Sequence, residues 1–312
     1  MQRLQLDETA LDLFARRPSR SFSTGLGFID AATKKADGKE AGIRPRQVVE
    51  LCGARDTPKT QVLEHVVASF LTKSCTTSDQ RPKERVFIFD HEGEVSAARL
   101  TALVTNKLTG SKRKNEVEEA LAQVQTCYCR DSFQWLATLN HIHFQLLEAT
   151  PGRMAMEGTN VLVVVVLLIA LLLVFNCVGS FHAIDKMTTK SVGDGLALSE
   201  QVFILLKQFI RHHSPIVFVS KETTSNSRMG WEHAEYLPSS WTSQVSKRIL
   251  MRKPLPPRLS LEGQNLKKKG GFDYRSSDTC TQFEAKCIVA GERWVVLFGL
   301  LDWQAVKLMW AL

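Results

Sequence analysis

The fold turns on residues 47–65, QVVELCGARDTPKTQVLEH. A short β-branched run ends at Cys52-Gly53, and from Lys59 onward Val62, Leu63, Val66, Val67 and Phe70 recur at helical spacing. Strand, tight turn and amphipathic helix in that order make the first half of a βαβ unit. The turn runs close to the phosphate-binding pattern G-x-x-x-x-G-K-[ST]. In that pattern backbone N–H groups surround the phosphates, the lysine reaches the β- and γ-phosphates, and the hydroxyl ligates magnesium. Gly53, Lys59 and Thr60 fit, but Pro58 stands where the second glycine belongs. Proline has no N–H and holds φ near −65°. The expected cradle, Gly53, Ala54, Arg55, Asp56, Thr57, Pro58, Lys59 and Thr60, therefore lacks one donor, a loss of about 1–3 kcal/mol in binding. The alternative is an ordinary strand-to-helix turn with proline at the helix start, a favourable place for it.

Outward from this stretch, short runs rich in Val, Ile and Phe predict buried parallel strands at 47–52, 85–90, the C-terminal part of 161–175, and 214–220. Helical patterns at 59–74, 96–108, 133–150 and 196–213 lie between them. QFEAKCIVA (282–290) and RWVVLFGLL (293–301) read as a closing antiparallel pair, and WTSQVSKRILMRK (241–253) contains a further strand. The pattern is α/β: a mostly parallel central sheet flanked by helices, with antiparallel strands at the C-terminal end. A short N-terminal segment (1–21) precedes one core (22–300), and residues 301–312 form a tail. Leu4, Leu11, Leu13 and Phe14 would line a short amphipathic helix in the first segment.

The 312 residues carry 40 Lys+Arg against 32 Asp+Glu, a net +8, which mildly favours polyanionic partners. The seven cysteines form neither a C-x-x-C zinc pattern nor a secreted disulfide framework, so reduced thiols are expected. The start has no continuous apolar stretch of the secretory kind. The run VLVVVVLLIALLLVF (161–175) is unbroken apolar. As a helix it would span about 22 Å, short of the roughly 30 Å of a hydrocarbon core. A buried strand is the preferred reading and a membrane segment the alternative.

Two further places carry chemistry. The magnesium side of a phosphate cradle calls for an acidic residue at the end of a later strand; Asn176 stands there, able to bind a metal-held water but bringing no charge. In FIFDHEGEVSAARL (87–100) a strand ends at Asp90, and Glu92 follows at the carboxyl edge, where ligands bind in open α/β folds. Glu92 could orient a water toward a γ-phosphate, or Asp90 to Glu94 could be a solvated acidic turn.

These pieces in this order resemble the RecA/Rad-type strand-exchange family. FSTGLGFIDAAT (22–33) is similar to the S-T-G-x-x-x-[LI]-D segment ahead of that family's core, and GIRPRQVVELCGARDTPKTQ (42–61) to its phosphate-loop stretch. FIFDHEGEVSAARL is similar to Y-I-D-T-E-G-x-F-x-x-x-R-L, with Glu92 at the water-orienting position. FNCVGSFHAIDK (175–186) and YLPSSWTSQVSKRILMRK (236–253) resemble segments of the recombinase paralogues. The resemblance implies a RecA-like P-loop NTPase core binding ATP and Mg through Thr60 and Asn176, with no other metal. It implies a nuclear subunit of a hetero-oligomeric paralogue complex in homologous-recombination repair of DNA double-strand breaks, assisting recombinase loading on single-stranded or branched DNA. Pro58 and Asn176 put hydrolysis in doubt. Two loops, 181–199 and 221–238, are candidate DNA-facing segments through Lys186, Lys190, Lys221, Arg228 and Trp231, since basic side chains and an aromatic platform suit single strands. KRK (112–114) and KKK (267–269) could be nuclear localisation signals or solvated turns. The alternatives are an active DNA-dependent ATPase of the same fold, or a membrane-anchored protein through 161–175; a membrane partner is not the expectation.

Overall fold

A computed structural model describes residues 21–31, 42–75, 85–108, 113–148, 170–192, 196–223, 233–253, 281–287, 293–298 and 303–307, to which every structural statement below refers. The elements in chain order are α1 (Gly27–Ala31), β1 (Val48–Gly53), α2 (Lys59–Cys75), β2 (Arg85–Asp90), α3 (Ala97–Lys107), α4 (Arg113–Leu121) and β3 (Val124–Cys127). Then follow α5 (Ser132–Glu148), β4 (Leu171–Asn176), α6 (His182–Val192), α7 (Leu198–His213), β5 (Ile216–Glu222) and α8 (Ser239–Thr242). Strands β6 (Lys247–Arg252), β7 (Thr281–Cys287), β8 (Arg293–Phe298) and β9 (Trp303–Lys307) close the order.

These strands form one sheet in the order β3-β2-β4-β5-β1-β6-β7-β8-β9. Pairing is parallel from β3 to β6 and antiparallel from β6 to β9. The expected α/β class, mostly parallel with an antiparallel finish, is what forms. The central strands are buried on both faces because each alternate residue meets a different helical layer. Val49, Leu51, Val86, Ile88, Leu172 and Val174 pack with α2, α3 and α4, through Val62, Val66, Leu100, Val104 and Val117. Val48, Phe87, Phe89, Leu173, Phe175 and Val219 pack instead with α5, α7 and α8, through Trp135, Leu139, Val202, Phe203 and Trp241. Burial on both sides is why these strands read as unbroken apolar runs and not as alternating ones.

Connections from β1 and β2 lead to helices of the first layer, and those from β3 and β4 to the second. The loops therefore part at the carboxyl edge, where a crevice opens in such sheets. The S-T-G segment is a closed turn beside this core. The Asp30 carboxylate accepts from Thr24 N (2.8 Å), Gly25 N (2.9 Å) and the hydroxyls of Ser23 and Thr24 (2.9 Å each).

Several expectations change. The region 181–199, read as a loop, contains helix α6 and the start of α7; the Ser132 hydroxyl donates to Asp185 in the first turn of α6 at 2.6 Å. Trp303–Lys307, placed in a tail, pairs with β8 and extends the sheet. Of the apolar run, Leu171–Phe175 belongs to β4, and residues 161–169 lie outside the described residues. Among the described residues no helix is long and apolar enough to cross a membrane. The expected N-terminal helix and KKK (267–269) lie outside the described residues, as does Lys112, while Arg113 and Lys114 open α4. Cys52, Cys127, Cys129, Cys177 and Cys287 are free thiols.

Candidate functional site

The carboxyl ends of β1, β2, β4 and β5 bring the turn 53–60, Asp90–Val95, Asn176 and Ser220 together. Parallel pairing in register sets this up: Asp90 lies opposite Asn176, and Gly53 opposite Glu222 and Met251. Gly53 has no alternative at its position. A Cβ there would stand 2.5 Å from Thr57 Oγ1 and 2.7 Å from the Met251 carbonyl oxygen.

The turn closes on itself. Thr57 N and Thr57 Oγ1 both donate to the Ala54 carbonyl, at 3.1 and 2.7 Å, and Lys59 N donates to the Thr57 carbonyl at 2.8 Å. Pro58 caps α2: its carbonyl accepts from Val62 N at 3.0 Å, and its missing N–H leaves no helical bond unmade. Lys59 Nζ folds back into the turn, donating to the Ala54 carbonyl at 2.6 Å and to Thr57 Oγ1 at 3.2 Å. Burial lowers its pKa, while Glu222, Glu92 and Glu94 pull the other way. Ala54, Arg55 and Asp56 are exposed; Asp56 pairs with Lys253 at 2.7 Å, which lowers its carboxyl pKa.

Thr60 is the meeting point. Its Oγ1 lies 3.1 Å from Asn176 Oδ1 and 3.0 Å from Glu94 Oε2. Asn176, fully buried, donates from Nδ2 to Asp90 Oδ1 at 3.1 Å and accepts from Ser220 Oγ at 3.0 Å. Asp90 also caps the following turn, accepting from Gly93 N, Glu94 N and Val95 N at 3.0, 3.3 and 3.0 Å. Gly93 serves that turn with φ 70°, a left-handed conformation that glycine adopts without strain. Cis ligands on an octahedral magnesium at 2.0–2.1 Å stand about 2.9 Å apart. The Thr60 Oγ1 separations from Asn176 Oδ1 and from Glu94 Oε2 lie within a few tenths of an ångström of that. These are the residues that would hold a magnesium ion, and Glu94 would bring the charge that Asn176 lacks.

Sequence reading placed Thr60 and Asn176 together, and they are together. It missed Glu94, although the D-H-E-G-E run shows it two residues past Glu92. Glu92 is exposed and accepts from Ser180 Oγ at 3.3 Å, on the β4 side of the crevice and not against Thr60.

Of the candidate DNA contacts, Lys186 is exposed on α6, and Lys190 is in the same helix. Arg228 and Trp231 lie outside the described residues. Lys221 is a correction: it is completely buried on the second face of the sheet and cannot meet a phosphate backbone. Its ammonium bonds Glu235, stands 3.2 Å from His233 Nε2 and 3.8 Å from Glu50 Oε1. Glu50 is equally buried and accepts from Trp241 Nε1 at 2.6 Å and from the Arg248 guanidinium, which also reaches Glu235 at 2.7 Å. This is an ionic cluster anchored on β1, β5 and β6. Glu50, Cys52 and His233 also place ligand atoms within 4.8 Å of one another. The Lys221 ammonium and Arg248 guanidinium already neutralise that ground, and burial beside Glu50 holds the Cys52 thiol protonated.

The fold and site define an α/β protein with a mostly parallel sheet and a loop site at its carboxyl edge. No protein-family model matches the chain, and no curated protein matches it.

Proposed function

We propose that this chain is a recombinase-paralogue subunit in homologous-recombination repair, built on a RecA-like P-loop core whose nucleotide site is degenerate. The observation that carries the reading is the Thr60 hydroxyl held between Asn176 and Glu94, one residue after Lys59. A strand-to-helix turn with no phosphate ancestry has no need to bring that hydroxyl to the ends of two distant strands. Under this reading ATP and Mg bind weakly, because Pro58 offers no N–H and Thr57 N, Lys59 N and Lys59 Nζ are engaged within the turn. The subunit acts in the nucleus by contact with other paralogues and with single-stranded or branched DNA, α6 meeting that DNA through the exposed Lys186.

The test pairs fluorescent-ATP binding to the full chain, with and without Mg, with partner capture from DNA-damaged nuclei. Expected are Mg-dependent binding lost in Lys59→Ala, no turnover, and recovery of recombination proteins. Rapid DNA-stimulated hydrolysis would instead make the chain an active ATPase. Capture that recovers no recombination protein would remove the repair assignment.

A further inference from the structure

The second helical layer carries a cluster of imidazoles far in sequence from the carboxyl-edge site. His143 projects from α5, while His212 and His213 end α7. His143 Nδ1 and His213 Nε2 lie 2.8 Å apart. The His212 ring is centred 5.8 Å from that of His143 and 6.5 Å from that of His213, and His143 and His213 are 4.9 Å apart by the same measure. Phe209, one turn back on α7, packs at 4.5 Å from the His213 ring and fixes the floor of the cluster.

We propose that His143 and His213, with His212 as third ligand, bind a first-row transition-metal dication of the zinc class and clasp α5 to α7. Nitrogen ligands at 2.0–2.1 Å in a tetrahedron stand about 3.3 Å apart. The His143–His213 pair therefore needs to open by only about half an ångström to admit the ion, exchanging one hydrogen bond for two coordinate bonds. His212 is exposed beside both rings and would have to turn from its place on α7 to reach the same ion, with water completing the shell. An all-imidazole set suits zinc, copper or nickel and excludes the hard cations magnesium and calcium.

His212 and His213 lie in the last turn of α7, at the negative end of the helix dipole, and this favours the ion. One charge opposes it: the Arg46 guanidinium rests on Ser214 Oγ at 2.8 Å and on the Arg211 carbonyl at 3.1 Å.

The full chain, freed of metal by chelation, is titrated with Zn²⁺ by calorimetry and with Co²⁺ by optical absorption. One saturable equivalent is expected, with a nitrogen-type cobalt spectrum lacking thiolate charge transfer and a thermal midpoint raised by several degrees. The H143N/H213N double variant should weaken binding about 100-fold and H212N about tenfold, while H233N leaves it unchanged. Histidine carbethoxylation read by mass spectrometry on the unmutated chain gives an answer independent of variant folding. Zinc should protect 143, 212 and 213 and leave His141 reactive. Overturning results are binding unaltered by H143N/H213N, a thiolate-type cobalt spectrum, no protection at these three rings, or only weak, non-stoichiometric uptake, meaning an adventitious ion only.

Discussion

Asn176→Asp places a carboxylate at the end of β4, and the geometry sets its cost. Asn176 Nδ2 stands 3.1 Å from Asp90 Oδ1, both side chains being buried. Replacing that donor by a second anion gives a repulsion of about 5 kcal/mol at an effective dielectric of 20. The protein has a cheaper escape, which is to keep a proton on the introduced carboxyl and let it donate to Asp90. At pH 7 that costs about 4 kcal/mol against an ordinary aspartate pKa near 3.9, and this is the ceiling on the penalty. The introduced group has a folded-state pKa above its unfolded one, so the variant retains its full stability below about pH 4 and loses it as pH rises. The slope is about 1.4 kcal/mol per pH unit. Urea unfolding of both chains at pH 5, 6, 7 and 8 measures it. The variant should trail by about 1–2 kcal/mol at pH 5 and about 4 kcal/mol at pH 7, roughly 10 °C in thermal midpoint. Millimolar Mg²⁺ should recover part of the loss only in the variant, because a dication between Thr60, Glu94 and the new carboxylate offsets the repulsion. Equal midpoints with no pH dependence would mean that residues 90 and 176 are not in contact, and the argument for the site would fall with them.

Gly53→Ala drives a methyl into Thr57 Oγ1 and the Met251 backbone, and should cost about 1–3 kcal/mol in urea unfolding while weakening any nucleotide binding. Lys221→Met leaves Glu50 with Arg248 as its remaining cation and should destabilise by about 3 kcal/mol, most of it recovered in the Glu50→Gln/Lys221→Met pair; an unchanged midpoint would mean that the cluster is not formed. His91 is held neutral, with its pKa lowered to about 4 by burial, so it binds fewer protons folded than unfolded. His91 should therefore contribute a fall of about 1.4 kcal/mol per pH unit as pH drops from about 6.5 toward 4, and His91→Gln should lessen the slope of the pH series by that share. Pro58→Gly returns a backbone donor to the turn and should tighten Mg-ATP about tenfold or more by fluorescence titration, for a stability loss of about 1 kcal/mol; unaltered affinity would mean that this N–H position does not face the ligand.

The central sheet was legible because β1, β2, β4 and β5 are apolar on both faces, and a doubly covered strand has no other way to read. Strand β3, V-Q-T-C at the sheet edge, buries little and carries no such signal. Helix α4 has only Val117, Ala120 and Leu121 as its apolar side, and α6 sits in a stretch of small and polar residues where loop composition and an amphipathic helix look alike. Lys221 was misread for a different reason. A lysine at a strand end faces solvent unless something covers it, and its covers, Glu50 and Glu235, come from other parts of the chain. The same limit explains Glu94. Sequence shows both glutamates of D-H-E-G-E, but the left-handed Gly93 decides which of them turns toward Thr60.

The site's own contacts bear on the order in which ligands would arrive. Thr57 N and Lys59 N are spent on carbonyls of the turn, and Lys59 Nζ is spent on Ala54 and Thr57. A bare triphosphate must break these bonds, each worth about 0.5–1.5 kcal/mol, while approaching the carboxylates of Glu92, Glu94 and Glu222. A divalent cation meets no such obstacle. The Thr60 hydroxyl proton is shared between Glu94 and Asn176, which also accepts from Ser220 Oγ, and a cation would meet both oxygens together. Under the proposed function, a bound ion would partly neutralise the glutamate field and give the phosphates a ligand that needs no backbone N–H. Magnesium would then do for this turn what the second glycine does in the phosphate-binding pattern. Nucleotide affinity should accordingly depend on the cation far more steeply than where the loop itself supplies the donors.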